Sequence, residues 1–509
     1  MASTVFTPGT TITSPWLNDV NFKTYNDNAL SVAYTPADTG AVQTTVQAKL
    51  RQSVSVKDFG ATGDGTTNDT AAIQLADSYA RSIGSVLIFP AGTYMVSQLV
   101  LYTNSNWQGQ GRDATIIKSI AGSNTDLIYG YNSNANWGST TPVNFPNGFA
   151  IRYMTLDGNR ANNSTGSGIA AFASRPILEN LFIKNCAEHG LRTEYYDSSN
   201  GGLDTFAMEG WFSNVRVDTV GKHGWLNNGP HDSASINFLV IDASQSTANT
   251  YDGFYCDARS STRNIASHAW TRSTSVRANS ALNIRPGATH EFSGGCNFEG
   301  GYNANVIIAS QNCLFDPSTR YYAAWNGVNI LMTSTANLCT IMGKLDAPGA
   351  GRPACYGIQI GQTAGDYISN NIIDVNCASQ EAGNIYFNAN YSGTTNRIKA
   401  LCYNTTSATI SGLPKTTDDV DLMFLNSAGT SHINNRDQKT TLSIGANASA
   451  VWTFPYAFAA NPIVTFSPAS PSAAITSGMW ISALGTTSVT FFNNNAVTAT
   501  LHIVAKATN

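Results

Sequence analysis

This chain carries little charge. Asp, Glu, Lys and Arg make up only 12% of its 509 residues, and the formal net charge is −4. That balance gives no electrostatic case for nucleic acid or an anionic membrane as a partner. No apolar run approaches the ~20 residues of a membrane-spanning helix, so no membrane insertion is expected. The opening MASTVFTPGTTITSP lacks the basic start and apolar core of a secretory signal, which argues against export by the general secretory route. Eight cysteines are present (Cys186, Cys256, Cys296, Cys313, Cys339, Cys355, Cys377 and Cys402), with no C-x-x-C among them, so no metal site is expected. Their contexts, such as NCLF and LCYN, are those of reduced, buried small hydrophobes in a protein assembled in a reducing cytoplasm. No P-loop, dinucleotide fingerprint or nucleophile elbow stands in a suitable context, and no cofactor is expected.

What the chain does have is turn residues, with 43 glycines among abundant Asn, Ser and Thr. The most informative stretch is Val56 to Ala76, VKDFGATGDGTTNDTAAIQLA, followed by VLIFPAGTYMV. Gly60, Gly63 and Gly65 supply backbone angles closed to other residues, so the segment folds back on itself. Asn68 or Asp69 can accept the first free amides of a helix. Ala72, Ile73, Ala76, Tyr79 and Ala80 recur at helical spacing, giving one apolar face able to cover the open end of a stack of strands.

Downstream, an alternating apolar strand, a turn, a glycine and a second short strand recur. First strands include IRYMTLDGN, LENLFIKNC, FSNVRVDTV and INFLVIDAS, at intervals of roughly 20–35 residues. Second strands include HGLRTEYY, HGWLNN, DGFYCDA and SALNIRP. No long run with helical period interrupts them, and about ten coils can be counted. From Thr440 onward the rhythm changes to alternating segments separated by Asn, Pro and Gly turns, which predicts a small antiparallel β-sandwich.

The Val56–Val96 module resembles the entry of the pectate-lyase-like right-handed parallel β-helix, in particular the phage tailspike branch of that superfamily. The string TTITSPWLNDVNFKTYN is similar to the particle-attachment segment of podovirus-type tail fibres and tailspikes. The fold class is therefore expected to be all-β. The expected order is an attachment segment (1–43), a helical neck (44–55), a parallel β-helix (56–411), a linker (412–436) and a C-terminal β-sandwich (437–509) for trimerisation or carbohydrate binding. The resemblance implies a homotrimer joined to the phage tail or baseplate, present in the virion. It also implies a bacterial surface polysaccharide (capsule, O-antigen or exopolysaccharide) as partner. Catalytic positions vary within that superfamily, so none is carried over.

Candidate site residues come instead from registering the second strands, whose equivalent residues stack about 4.8 Å apart. One column reads His189, His223, Asp252, Ser280; another reads Glu194, Asn228, Asp257, Arg285. Glu194 and Asp257, two coils apart, fit the acid and base of inverting glycoside hydrolysis, and Arg285 would keep Asp257 ionised. Asp232, projected with His231 by the Gly229-Pro230 turn, could complete the acidic site; a turn cap explains it equally well. Tyr195, Tyr196, Trp225 and Tyr255 offer aromatic faces to sugar rings, although position alone also allows Trp225 and Phe254 a core role. His223, His231, Arg259 and Arg285 complete the substrate-binding candidates. Another column, at the ends of the first strands, reads Asp157, Asn185, Thr219, Asp242, with Glu299 and Asp316 further on.

The leading expectation is an endo-acting glycoside hydrolase with no cofactor and no metal. Alternatives are a polysaccharide lyase using His223, His231 or Lys222 as base with Arg192 or Arg259 neutralising a uronate, an esterase built on the His–Asp–Ser column, and a non-catalytic receptor-binding spike.

Overall fold

The structure is a computed structural model. It describes residues 11, 30, 32–130, 146, 148–171, 175–194, 210–228, 234–237, 240–242, 251–257, 265–271, 274–276, 280–286, 288–322, 327–346, 356–377, 385–403, 410–412, 414, 418–426, 429–434, 437–454, 458, 461–468, 479–495 and 498–506. Most of residues 1–31 therefore lie outside the described residues.

The neck region holds one short helix, Val46–Leu50, whose first turn is capped by Thr45 Oγ1 accepting from the Ala48 amide (3.1 Å). The entry module follows. Ser55 and Asp58 close a reciprocal capping box around the Val56–Phe59 turn, which Gly60 ends at φ 92°. Asn68 accepts from the Thr70 amide (3.1 Å) at the start of the helix Thr70–Ser82. Asp69 does not cap the helix; its carboxylate turns back to the Gly-rich turn and accepts from the amides of Thr62 (2.7 Å) and Gly63 (3.0 Å). The turn is tight: a Cβ on Gly92 would lie 2.6 Å from the Gly63 carbonyl oxygen.

The helix buries Ile73, Ala76 and Ala80, as its apolar spacing predicts, while Tyr79 stays on its rim against Phe59. The same face buries a charge that hydropathy alone did not flag. Asp77, fully buried, accepts from Trp107 Nε1 (2.7 Å), Ser105 Oγ (3.0 Å) and Arg81 Nε (2.9 Å). The cap is thus fastened to the first coils by a satisfied carboxylate as well as by apolar packing.

Beyond it the chain forms a parallel β-helix. One twelve-stranded sheet runs from Leu99–Val100 to Ile410–Ser411, every neighbour pair parallel and separated in sequence by one or two strands of the second sheet. Inward columns fill the space between the sheets: Ile117, Leu156, Ile183, Val217 and Ile241 from one, and Ile128, Ile169, Leu191, Trp225, Phe254 and Leu282 from the other. Corners are turned by residues in the left-handed region, among them Asn124, Asn159, Asn185, Thr219 and Asn370. Among the described residues, seven cysteines are buried in this core and none of them is in a disulfide.

The segment read as a linker needs correction. Asp419–Asn426 pairs in parallel with Arg397–Tyr403 and so extends the stack, and Gly429–Asn434 folds back on it antiparallel. Val420 and Leu422 are buried between half-buried Asp419 and Asp421, a period-two pattern hidden beside the polar TTDD. From Asp437 the pairing is antiparallel. Two three-stranded sheets enclose an apolar cluster that includes Ile444, Trp452, Phe491, Leu501 and Ile503.

Asp77→Ala removes the acceptor of three buried or half-buried donors. It is expected to destabilise the β-helix by about 3–5 kcal/mol in chemical denaturation, with the loss of a Trp107 fluorescence signature of the native cap.

Candidate functional site

The outer face of the twelve-stranded sheet carries the registered columns. Backbone pairing places Leu191 beside Trp225, Arg192 beside Leu226, Thr193 beside Asn227 and Glu194 beside Asn228. The next rung sets Trp225 beside Phe254 and Asn228 beside Asp257, and the one after sets Phe254 beside Leu282. Arg285 follows through its amide, which donates to the Cys256 carbonyl (2.8 Å). The register read from sequence therefore holds along this column. Asp232, His231, Tyr195, Tyr196 and Arg259 lie outside the described residues, and Glu194 and Asp257 are placed by their backbones. Arg285 is exposed.

Trp225 is a correction. It shares its column with Leu191, Phe254 and Leu282, all inward-facing, and it is fully buried. Its indole packs on Phe212 and Phe254, and Nε1 donates to Thr193 Oγ1 (2.8 Å). A sugar on the outer face cannot reach it. Tyr255, one residue along the next rung, points outward and is half-buried, as a binding residue requires.

His223 is the best-defined side chain of the outer cluster. Its ring lies parallel to His189 (5.5 Å between centroids, 3° between planes) and against Tyr255 (4.8 Å) and Tyr251 (5.3 Å). Nδ1 accepts from the Asp252 amide (2.9 Å), so Nε2 carries the proton of the neutral ring. Burial, with Lys222 adding to it against the opposing amide hydrogen bond, brings the His223 pKa down to about 4. Burial and the neighbouring imidazole bring His189 to about 2. Asp252 does not form a triad with these groups: its buried carboxylate accepts from the Ser280 amide (2.9 Å) and Asn283 Nδ2 (2.9 Å), and the Ser280 side chain is itself buried.

Charged groups rim this cluster on the preceding coils. Glu188 pairs with Lys222, and Arg192 with Asp126 (3.8 Å). Tyr129 stands in the outer column one rung before Ala170 and two before Arg192, its pKa raised by burial and by Asp126. Tyr251, Asp126 and Tyr129 were not singled out in the sequence. For Tyr251 a signal existed, since it occupies the position of Lys222 in the registered strands. Asp126 and Tyr129 come from a coil whose second strand, Ile128–Gly130, is too short to show a pattern.

The column at the ends of the first strands is also corrected. Asp157, Lys184, Asp218 and Asp242 are in register; Asn185 and Thr219 sit one residue further, at the corner. Among the described residues no group of three or more His, Cys, Asp or Glu side chains is arranged to hold a metal ion.

With this geometry in hand, similarity to known proteins can be placed on it. Residues 53–249 match the model of the family described as rhamnogalacturonase A/epimerase, pectate lyase-like, which bears out the resemblance carried by Val56–Val96. The mannuronan C5-epimerase AlgE2 of Azotobacter vinelandii is 39% identical over 119 residues, 22% of this chain and 11% of that protein. Alginate lyase 7 of the same organism is 36% identical over 117 residues, 21% of this chain and 13% of that protein. The chain thus spans only a small part of the curated relatives it matches. A mutant tailspike protein of E. coli bacteriophage HK620, solved with a pentasaccharide, superposes over 94% of this chain and 98% of its own at a TM-score of 0.50 and 13% identity. That likeness shows the parallel β-helix fold of a tailspike.

The pKa values of His223 and His189 are depressed in the folded state, so the unfolded chain takes up protons first. Their contribution to stability is complete above the ordinary value of 6.5 and, for His223, is lost as pH falls from there towards about 4. His223→Asn keeps an acceptor for the Asp252 amide and should flatten this decline, measured as thermal midpoint against pH. Trp225→Ala should cost about 3–5 kcal/mol in stability. Tyr255→Ala should leave stability within about 1 kcal/mol and weaken saccharide binding.

Proposed function

We propose that this protein binds and depolymerises a bacterial surface polysaccharide by endo-glycosidic hydrolysis, as a homotrimeric phage tailspike attached to the particle through residues 1–43. Glu194 is the proton donor and Asp257 the base that activates water, with Asp232 on the intervening coil as a third acidic group. The observation that carries this reading is the register Glu194–Asn228–Asp257, which puts the two carboxylate-bearing residues two strand spacings apart. Two spacings are about 9.6 Å between backbones. That backbone spacing is close to the 6.5–9.5 Å or so between carboxyl groups that leaves room for the attacking water of an inverting hydrolase. The exposed Arg285, one rung on, favours an ionised Asp257. Tyr255, Tyr251 and the edge of His223 supply the adjacent aromatic surface, and the pentasaccharide-bound tailspike shows that a protein of this fold can take such a ligand.

A second reading has its own support. His223 is neutral at physiological pH, and Arg192 stands on the preceding rung three residues along the strand, facing Leu226, so that a base and a guanidinium able to neutralise a sugar carboxylate share one face. Relatives that match about a fifth of the chain include proteins named as a mannuronan epimerase and an alginate lyase. In the third reading, a receptor-binding spike without catalysis, the same face would bind and release the polymer unchanged.

The test is incubation of the purified chain with capsule and O-antigen preparations, following new reducing ends and ultraviolet absorbance of unsaturated uronates together. Hydrolysis gives reducing ends without absorbance, and Glu194→Gln and Asp257→Asn should each lower the rate by at least about a hundredfold. Absorbance rising with reducing ends selects elimination, and His223→Asn then becomes the damaging variant. Full activity in Glu194→Gln, Asp232→Asn and Asp257→Asn alike would refute the carboxylate assignment.

A further inference from the structure

The second sheet carries an aromatic surface of its own, on the coils that also hold Leu191–Glu194 and Trp225–Asn228. Its strands Ala150–Asp157, Ile177–Lys184 and Gly210–Asp218 pair in parallel. Ile151, Leu178 and Phe212 form one column and are buried, so the residues on either side of them face outward. One outward column reads Arg152, Glu179, Ser213. Trp211 stands two residues before Ser213, beside Ile177. It is 49% exposed, whereas Trp107 and Trp225 are fully buried.

A lone exposed apolar side chain is ordinary, but Trp211 does not stand alone. Just past the Arg152 column each strand bends through the left-handed region, at Tyr153 (φ 56°), Asn180 (51°) and Asn214 (53°). Asn tolerates that conformation at little cost; a bulky aromatic residue does not. Tyr153 is 36% exposed, so core packing does not explain why a strained Tyr stands where Asn serves on the next two rungs. Strain of this kind collects where a side chain is held for a ligand.

Tyr153 is held. Its hydroxyl donates to Glu179 Oε1 (3.1 Å), and Arg152 Nε pairs with Glu179 Oε2 (3.3 Å). Arg152 Nη1 in turn donates to Asn106 Oδ1 (2.7 Å). Glu179 thus lies on the rung between the two rings, a partly exposed carboxylate with acceptor capacity left over. Because Arg152 balances it, the patch has no net charge to offer a charged ligand. A purely apolar partner would bury that ion pair without repaying it. Sugar rings meet both demands, with C–H faces for the aromatic planes and hydroxyls for Glu179 and Ser213.

We infer that this face is a second saccharide-binding site, taking uncharged sugar rings of the polymer on Trp211 and Tyr153. The two residues are two rungs, about 9.6 Å, apart across the strands, so successive rings of one polymer meet them. The site lies on a different sheet from Glu194 and Asp257 and holds the polymer without cleaving it, which adds avidity to the proposed catalytic face. The inference rests on the proposed polysaccharide function but not on its chemistry.

The experiment is calorimetric titration of the full chain, carrying Glu194→Gln so that polymer survives, with the same capsule and O-antigen preparations. Trp211→Ala should weaken binding about tenfold, and Trp211→Phe, which keeps a ring, by no more than about threefold. Tyr153→Asn should also bind more weakly while melting no lower than the unsubstituted chain, because Asn relieves the strain; a merely structural Tyr153 would show the reverse. Bound polymer should protect Trp211 from acrylamide quenching, read as the fluorescence difference between the chain and Trp211→Phe. Undiminished affinity in Trp211→Ala, unchanged quenching, or no binding of any preparation overturns the inference. So does loss of self-association in Trp211→Ala, measured by sedimentation, with polymer affinity intact, since the face would then belong to a second copy of the chain. Polymer bound through Trp211 but never cleaved refutes the depolymerase reading and leaves this site standing; cleavage with undiminished affinity in Trp211→Ala does the opposite.

Discussion

Parallel, in-register hydrogen bonding between coils is the constraint from which the rest of this molecule follows. Once Glu194 is paired with Asn228 and Asn228 with Asp257, no side chain in the stack is free to choose its neighbour. Like residues meet like at about 4.8 Å, and their chemistry must tolerate that spacing. Apolar columns do so by packing, which is why Leu191, Trp225, Phe254 and Leu282 form a continuous inner wall. Titratable columns are accommodated most easily where they alternate in sign, as Lys118, Asp157, Lys184 and Asp218 do before Asp242 repeats the sign of Asp218. His189 and His223, stacked face to face, are both held neutral chiefly by burial, with the neighbouring imidazole adding to it at His189.

The sequence made this constraint legible where strands carried a clear marker. His-Gly-Leu, His-Gly-Trp, Asp-Gly-Phe and Ser-Ala-Leu fix the second strands because a small residue sits where each chain passes closest to the next. A Cβ on Gly190 or Gly224 would lie within 3 Å of a neighbouring carbonyl oxygen or side chain. The first strands carry no such marker at their ends. There Asn185 and Thr219 turn the corner in the left-handed region, one residue beyond Lys184 and Asp218, and a reader aligning polar residues slips by that one position. Trp225 was misread for a different reason. Its column was already apolar on both sides, so the alternation of the strand placed it inside; its size and aromatic character suggested a sugar platform that the pleat does not allow.

The entry module and the Asp419–Asn426 strand show the limits of composition as a guide. Both contain acids that look like surface or linker residues. Asp77 is instead satisfied inside by Arg81, one turn on in the same helix, and by Trp107 and Ser105, which the coils downstream bring to it and which its own periodicity does not show. Asp419 and Asp421 are the outward half of an alternating strand whose inward half, Val420 and Leu422, closes the core. The outer chemistry was the least legible part, because outward residues are set by neither packing nor backbone pairing and leave no period of their own.

Columns of amides have a direction, and that direction bears on where carboxylates can stand. In the buried ladder Asn371 Nδ2 donates to Asn396 Oδ1 (2.9 Å), and Asn396 Nδ2 donates to Asp418 Oδ1 (2.9 Å). Each amide both donates and accepts, so the chain of bonds can run on until a group that only accepts ends it. Asp418 is that end, and Tyr391 donates to its other oxygen. Two carboxylates on adjacent rungs could not form such a ladder, having no donor between them and like charges at about 4.8 Å. An amide rung between them removes both objections. Asn228, paired with Glu194 on one side and Asp257 on the other, occupies that intermediate rung on the outer face. The spacing that stacking imposes on like charges is thus compatible with the spacing that an acid and a base need across a glycosidic bond.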